Sequence, residues 1–157
     1  VRRLWLAYAA VALQIAAFPS NRLPWSTPTH PAIALWLCSY TLLIALVVVN
    51  RRVPGMALVG AGIVSNLIAI LANGGLMPAK LSALRAAGVS FHLRNNSVTT
   101  SHPHVALLID RFAWPSWLPL ANVFSVGDVL IGLGLVATIV VGMQPRLLGR
   151  IPVSESR

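Results

Sequence analysis

His102 and His104 stand two residues apart, so on an extended strand both imidazoles project to the same side. With His92 or Asp110 they could make a three-ligand metal site, the number of protein ligands a catalytic zinc ion takes. The spacing is not diagnostic, and Pro103 between two histidines serves equally to stiffen a loop. No metal is therefore expected. Ser101 and Ser125 are the hydroxyls to weigh as nucleophiles, but neither stands in a Gly-x-Ser-x-Gly context or has a convincing base. Asp128 adjoins a long apolar run, and an ionisable residue deep in such a run would flag a transport path. Ser125-Val126-Gly127-Asp128, however, puts a serine three residues ahead of an acid just where the run begins. That is the capping-box pattern, and a first-turn carboxylate also suits the positive end of the helix dipole. No catalytic residue is assigned, and the chain is not expected to be an enzyme.

The elements that would hold these residues are built for lipid. The 157 residues are 57% hydrophobic and 10% charged, with a mean hydropathy of +0.78. A soluble domain carries about a quarter charged residues, and this chain has too little polar surface to cover itself in water. Apolar runs at about 4–18, 32–49, 54–72 and 126–143 predict an all-α membrane protein with four transmembrane helices. A long outward-facing loop containing short helices separates the third from the fourth. The first run is short and is interrupted by Gln14; Trp5, Tyr8 and Pro19 mark its ends. Two arginines before a short apolar stretch also describe a signal peptide. Residues 19–31 hold four prolines and read as an extended connection, with Trp25 and His30 at the interface. Asn50-Arg51-Arg52 closes the second run, and Pro54 suits the first turn of the next helix.

The third run differs in texture. Gly62, Asn66, Ile70 and Asn73 share one helical face. Small residues let a second backbone come close, and an amide can bond across the contact. Gly127, Gly132 and Gly134 on the last run are expected to meet that face. Gly74 and Gly75 supply left-handed residues to end the helix, and Pro78 prevents its resumption. Asn73-Gly74-Gly75 is thus read as a cap and turn at the membrane surface, with a ligand-contacting loop as the alternative. Beyond it, Lys80 to Ala87 predicts a short surface helix with Leu81 and Leu84 inward and Gly88 as its stop. Val105 to Phe112 looks amphipathic. Trp114 and Trp117, set among prolines, fit an aromatic anchor at headgroup level. So long a connection is either functional or packed against something, and His102, His104, Trp114 and Trp117 are its candidates for docking.

The net charge of +9 would suit nucleic acid, but the basic residues stand as pairs and singles between apolar runs. That distribution is a topology signal. Arg2, Arg3, Arg51, Arg52, Arg146, Arg150 and Arg157, seven of the twelve Lys/Arg, fall on one side if the runs alternate. Both termini are accordingly expected in the cytoplasm and residues 73–122 outside. The organisation predicted is one helical membrane domain over 1–143 and a basic cytoplasmic tail over 144–157. Cys38 is the single cysteine, so no intrachain disulfide can form.

Two motifs, Ala72-Asn73-Gly74-Gly75-Leu76-Met77-Pro78 and Phe124-Ser125-Val126-Gly127-Asp128, resemble the signatures of an uncharacterised family of bacterial multi-pass membrane proteins, classed as a domain of unknown function. The likeness runs from the first apolar span to Met143 and includes Asn66 and a histidine-containing outer loop. It implies a bacterial inner membrane, one further N-terminal hydrophobic helix upstream, and no established activity.

The function expected is that of a non-catalytic accessory or structural subunit packing against a larger bacterial membrane complex, of an energy-transducing, respiratory or photosynthetic kind. Its motif and packing residues would be Asn66, Asn73, Gly74, Gly75, Pro78, Ser125 and Asp128. Its partners would be the lipid bilayer and other membrane subunits, not nucleic acid. No cofactor is expected, although a lipid, quinone or pigment contact on the apolar faces stays open. The alternative is a small-molecule, quinone or ion-binding or transport protein centred on Asn66, Asn73 and Asp128.

Overall fold

The computed structural model describes residues 1–19, 28–88, 97–98, 102–117 and 122–143. Trp25, His92, Ser101 and the expected basic tail lie outside the described residues. The elements follow as α1 (Trp5–Ala17), α2 (Thr29–Val49), α3 (Met56–Ala72), β1 (Met77–Pro78), α4 (Leu81–Ala86), β2 (Ser97–Val98), β3 (Phe112–Trp114), β4 (Asn122–Phe124) and α5 (Val126–Met143).

Two helices, His30–Val49 and Val126–Met143, are long and apolar enough to cross a membrane by length and composition. The other two apolar helices are shorter. α1, with 13 residues, is about 20 Å long and α3, with 17, about 26 Å. On this criterion two helices, rather than the four expected, have spanning length.

Boundaries move for local reasons. α2 begins at Thr29, three residues before the expected start, and takes Pro31 into its first turn. The missing proline N–H costs nothing there, because the first N–H groups of a helix have no internal acceptor. Pro54 stays outside α3, because Gly55 at φ +88° makes a left-handed break before Met56.

Chain ends and close approaches show that neighbouring helices are antiparallel. Asn50, after α2, bonds to Arg2, before α1. Val47 in α2 faces Gly60 of α3, whereas Ile33, early in α2, faces Gly75 beyond it. Gly55 faces Gly134 and Thr138 of α5, whereas Gly62 faces Gly127. The row is therefore α1, α2, α3, α5, alternating up and down. Its core joins Ala17, Trp36, Tyr40, Met56, Val59, Ile63, Ile70 and Met77. The Phe18 and Trp36 rings meet edge to face at 4.9 Å, a preferred aromatic geometry.

The segment between α3 and α5 corrects the all-α expectation. β1 pairs with β2 in parallel, Met77 opposite Ser97 and Pro78 opposite Val98. The backbone of Asp110 continues the ladder, its N–H donating to Pro78 O at 3.0 Å and its carbonyl accepting from Lys80 N at 2.8 Å. β3 and β4 form an antiparallel pair with Phe112 opposite Phe124, and those rings stack at 5.5 Å. The segment from Val105 to Phe112 is a chain of turns entering β3, not a helix. Val105 itself takes φ +48°, a region that a β-branched residue in a helix avoids. α4 matches the expected surface helix, but Ala83, Leu84 and Ala87 form its inner face while Leu81 is exposed. Those three residues, with Ala79 and Val123, make a second small core.

Candidate functional site

The junction of α3 and α5 gathers a cluster of three polar side chains, Asn66, Ser125 and Asp128. α3 delivers Asn66 to the contact, and the turn before α5 delivers Ser125 and Asp128. Ser125 is fully enclosed, Asn66 is 5% exposed and Asp128 lies open on one side. The Ser125 N–H donates to Asp128 Oδ2 at 2.9 Å, and the Asp128 N–H donates to Ser125 Oγ at 3.1 Å. This reciprocal pair is a capping box, and it satisfies two N–H groups that the start of α5 would leave orphaned.

Asn66 ties that cap to α3. Its Nδ2 donates to Asp128 Oδ1 at 2.8 Å, and its Oδ1 lies 2.7 Å from Ser125 Oγ. The Ser125 hydroxyl has one proton for two acceptors, Asn66 Oδ1 and Asp128 Oδ2 at 3.0 Å. Each Asp128 oxygen therefore accepts within the chain, and the enclosed hydroxyl lies between the Asn66 amide oxygen and the Asp128 carboxylate. The arrangement fastens α3 to the start of α5.

Glycine makes the approach feasible. A Cβ on Gly127 would collide with Asn66 Oδ1 and sit 2.7 Å from Gly62 O, and a Cβ on Gly62 would collide with Gly127 O. One contact further along, Gly134 faces the carbonyl of Gly55 and Val59. Thr138 Oγ1 lies 2.7 Å from Pro54 O and 2.9 Å from Gly134 O, closing that end. Gly127 and Gly134 thus meet the α3 face as expected, and Gly132 does not, having nothing within 4 Å. Five residues on from Gly127 is a rotation of about 140°, which puts Gly132 on the far side.

Asn73 lies elsewhere, about 10 Å along the axis from Asn66. Its Nδ2 donates to Ala69 O at 2.7 Å and His104 O at 3.0 Å, and its Oδ1 accepts from His104 N at 2.9 Å. The side chain imitates a strand neighbour and pins the turn that holds His104. Gly74 and Gly75 follow at φ +74° and +90°, and Gly75 N donates to Ile70 O at 2.9 Å. Pro78 is buried in β1. His102 and His104 are both exposed, as are Trp114 and, more fully, Trp117. Among the described residues no group of three His, Cys, Asp or Glu is placed to hold a metal ion. The His102, His104 and Asp110 combination does not assemble.

Two polar junctions escaped the sequence reasoning. Gln14 Nε2 donates to Ser39 Oγ at 3.1 Å, and that hydroxyl donates to Trp36 O at 2.6 Å, joining α1 to α2. Gln14, the polar interruption of the first run, was the available signal. Asn50 is 2% exposed; its Oδ1 accepts from Arg2 N, and its Nδ2 donates to Arg2 O at 2.9 Å and Leu46 O at 2.8 Å. Its place at a helix end beside two arginines concealed that tertiary role.

Comparison with known proteins gives a family of unknown function. The family described as "Family of unknown function (DUF5317)" matches residues 1–140. An "Uncharacterized protein" of Thermotoga maritima is 28% identical over 130 residues, covering 82% of this chain and 72% of that one. No solved structure matches the chain. The chain belongs to the DUF5317 family.

Proposed function

We propose that this DUF5317 member is a four-helix protein of the bacterial cytoplasmic membrane, with both ends of its helical row in the cytoplasm. In this reading it acts without catalysis, as an accessory or structural subunit packed against a larger membrane complex. The observation that carries the reading is the surface of α5. Of its 18 residues Gly127 and Gly134 are buried, while Leu133, Leu135, Val136, Ile139, Val140 and Met143 are exposed. In water so continuous an apolar surface would drive aggregation, and in a bilayer it is simply solvated. The inward placement of Asn66, Ser125, Gln14 and Ser39 supports the same view, since polar groups in lipid must be satisfied inside the protein.

Aromatic residues support the spanning of the shorter helices. Trp5 and Tyr8 are exposed at the arginine-bearing end, and Trp114 and Trp117 are exposed at the other. Rings of this amphipathic kind collect at the two membrane–water interfaces. A neighbouring protein, rather than lipid alone, is favoured by the small residues on the outward surface of α5. Gly132 and Gly142 leave open space there, where the backbone of a second helix can come close.

The test is site-specific photocrosslinking in native membranes from Leu133 and Ile139. Discrete protein adducts that survive purification in mild detergent are expected at both sites. Adducts to lipid alone, with a lone monomer recovered, would defeat the subunit reading, and recovery of the chain from the soluble fraction without detergent would defeat the membrane reading as well. The rival reading, a small-molecule, quinone or ion site centred on Asn66, Asn73 and Asp128, has less support. Both amides already bond within the chain, and Asn73 bonds to a different segment from the other two.

A further inference from the structure

The arginine-bearing end of the helical row is more than a set of loose charges. Asn50 bonds to both the N–H and the carbonyl of Arg2, so it holds the backbone before α1 against the turn after α2. That clamp brings Arg2 and Arg3 together with Arg51 and Arg52, and all four side chains are exposed. Arg3 takes φ +55°, which turns the chain sharply into α1. The two acidic residues among those described, Asp110 and Asp128, both belong to the opposite end. Four guanidinium groups therefore face outward at one pole with no carboxylate among the described residues near them. The last turn of α2 ends in the same place, where the negative end of a helix dipole tolerates clustered cations.

We propose that this pole is a binding surface for the headgroups of anionic phospholipids, with the Asn50 clamp keeping the two arginine pairs side by side. The inference rests on the reading of α1, α2 and α3 as spanning helices, which puts their shared end at the headgroup level of the cytoplasmic leaflet. Guanidinium forks pair with phosphate oxygens two at a time, so a split pair of arginines grips a headgroup from both sides. Exposed Trp5 and Tyr8, one turn inward, match the depth at which the glycerol region would follow.

The experiment uses the full chain in mild, uncharged detergent, titrated with phosphatidylglycerol or phosphatidylcholine and read by native mass spectrometry. Phosphatidylglycerol is expected to be retained preferentially, and 0.5 M NaCl is expected to abolish the preference. Arg51→Gln with Arg52→Gln should weaken that retention by about 25-fold, at roughly fivefold per basic residue near a lipid surface. Arg51→Lys with Arg52→Lys should keep most of it, and Asn50→Ala, with every charge intact, should lose part. Equal retention of the two lipids by the unaltered protein, or an undiminished preference in the double glutamine variant, would overturn the proposal. So would full competition by inorganic phosphate, which would mark a site for the free anion. A chain that needs detergent yet shows no lipid preference fails this proposal alone, whereas one that stays dispersed without detergent fails the membrane reading beneath it.

Discussion

Gly127→Ala isolates the contact that fastens α3 to α5. The added methyl would overlap Asn66 Oδ1 and sit 2.6 Å from Asn66 Cγ and 2.7 Å from Gly62 O. Asn66 could swing away, but Gly62 O is backbone on a packed helix and can yield only if the helices part. Overfilling of this kind costs about 1–3 kcal/mol. The displaced amide also gives up its bonds to Asp128 and Ser125, and hydrogen bonds between membrane helices average about 0.6 kcal/mol each. The expected destabilisation is thus about 2–4 kcal/mol. The assay is equilibrium unfolding in mixed micelles, followed by circular dichroism. Gly132→Ala is the control, because open space there leaves only the gain in helix propensity of up to about 1 kcal/mol. If the two alanine variants unfold together, the close approach of the helices is wrong. Adding Asn66→Ala to Gly127→Ala should return part of the loss, since one of the two obstacles disappears and neighbouring changes couple.

Asp128→Asn should cost about 1 kcal/mol, the scale of a lost cap and dipole interaction, with the helical content and any crosslinked partner retained; a folded protein that has lost its partner would instead make the carboxylate part of the interface. Asn73→Ala removes the two bonds that pin the turn at His104, so limited proteolysis should cut faster between His102 and Leu108 while the helices stay protected; unchanged cleavage would show that the strands hold this turn unaided. Thr138→Val should lose under about 1 kcal/mol in the same unfolding assay, because a single exposed bond to Pro54 O is at stake. In a Cys38→Ser background, a membrane-impermeant maleimide added outside spheroplasts should label His102→Cys and spare Arg51→Cys; labelling of both on intact spheroplasts would refute the alternation of the helices.

Much of the helical layout was legible because it depends on near neighbours. A helix stops at Asn73-Gly74-Gly75 since two glycines reach φ +74° and +90°, and no distant contact is needed for that. The Ser125–Asp128 box closes within four residues and was visible as a pattern. Gly62 and Asn66 face a partner because helical periodicity puts them on one side. Gly132 was misplaced through neglect of that same periodicity.

The sequence by itself determined where the apolar helices lie and where each must break, since hydropathy, glycine, proline and capping act within a turn or two of the chain. Tertiary structure decided which polar group meets which. Asn66 reaches a serine 59 residues away, and Asn50 clamps a backbone 48 residues earlier. Asn73 bonds to a turn 31 residues on, and Met77 pairs with Ser97 in a ladder that no apolar periodicity announced. An amide's four hydrogen-bonding positions are the same in every sequence, and only packing, by bringing two backbones within one glycine's width, selects the partner.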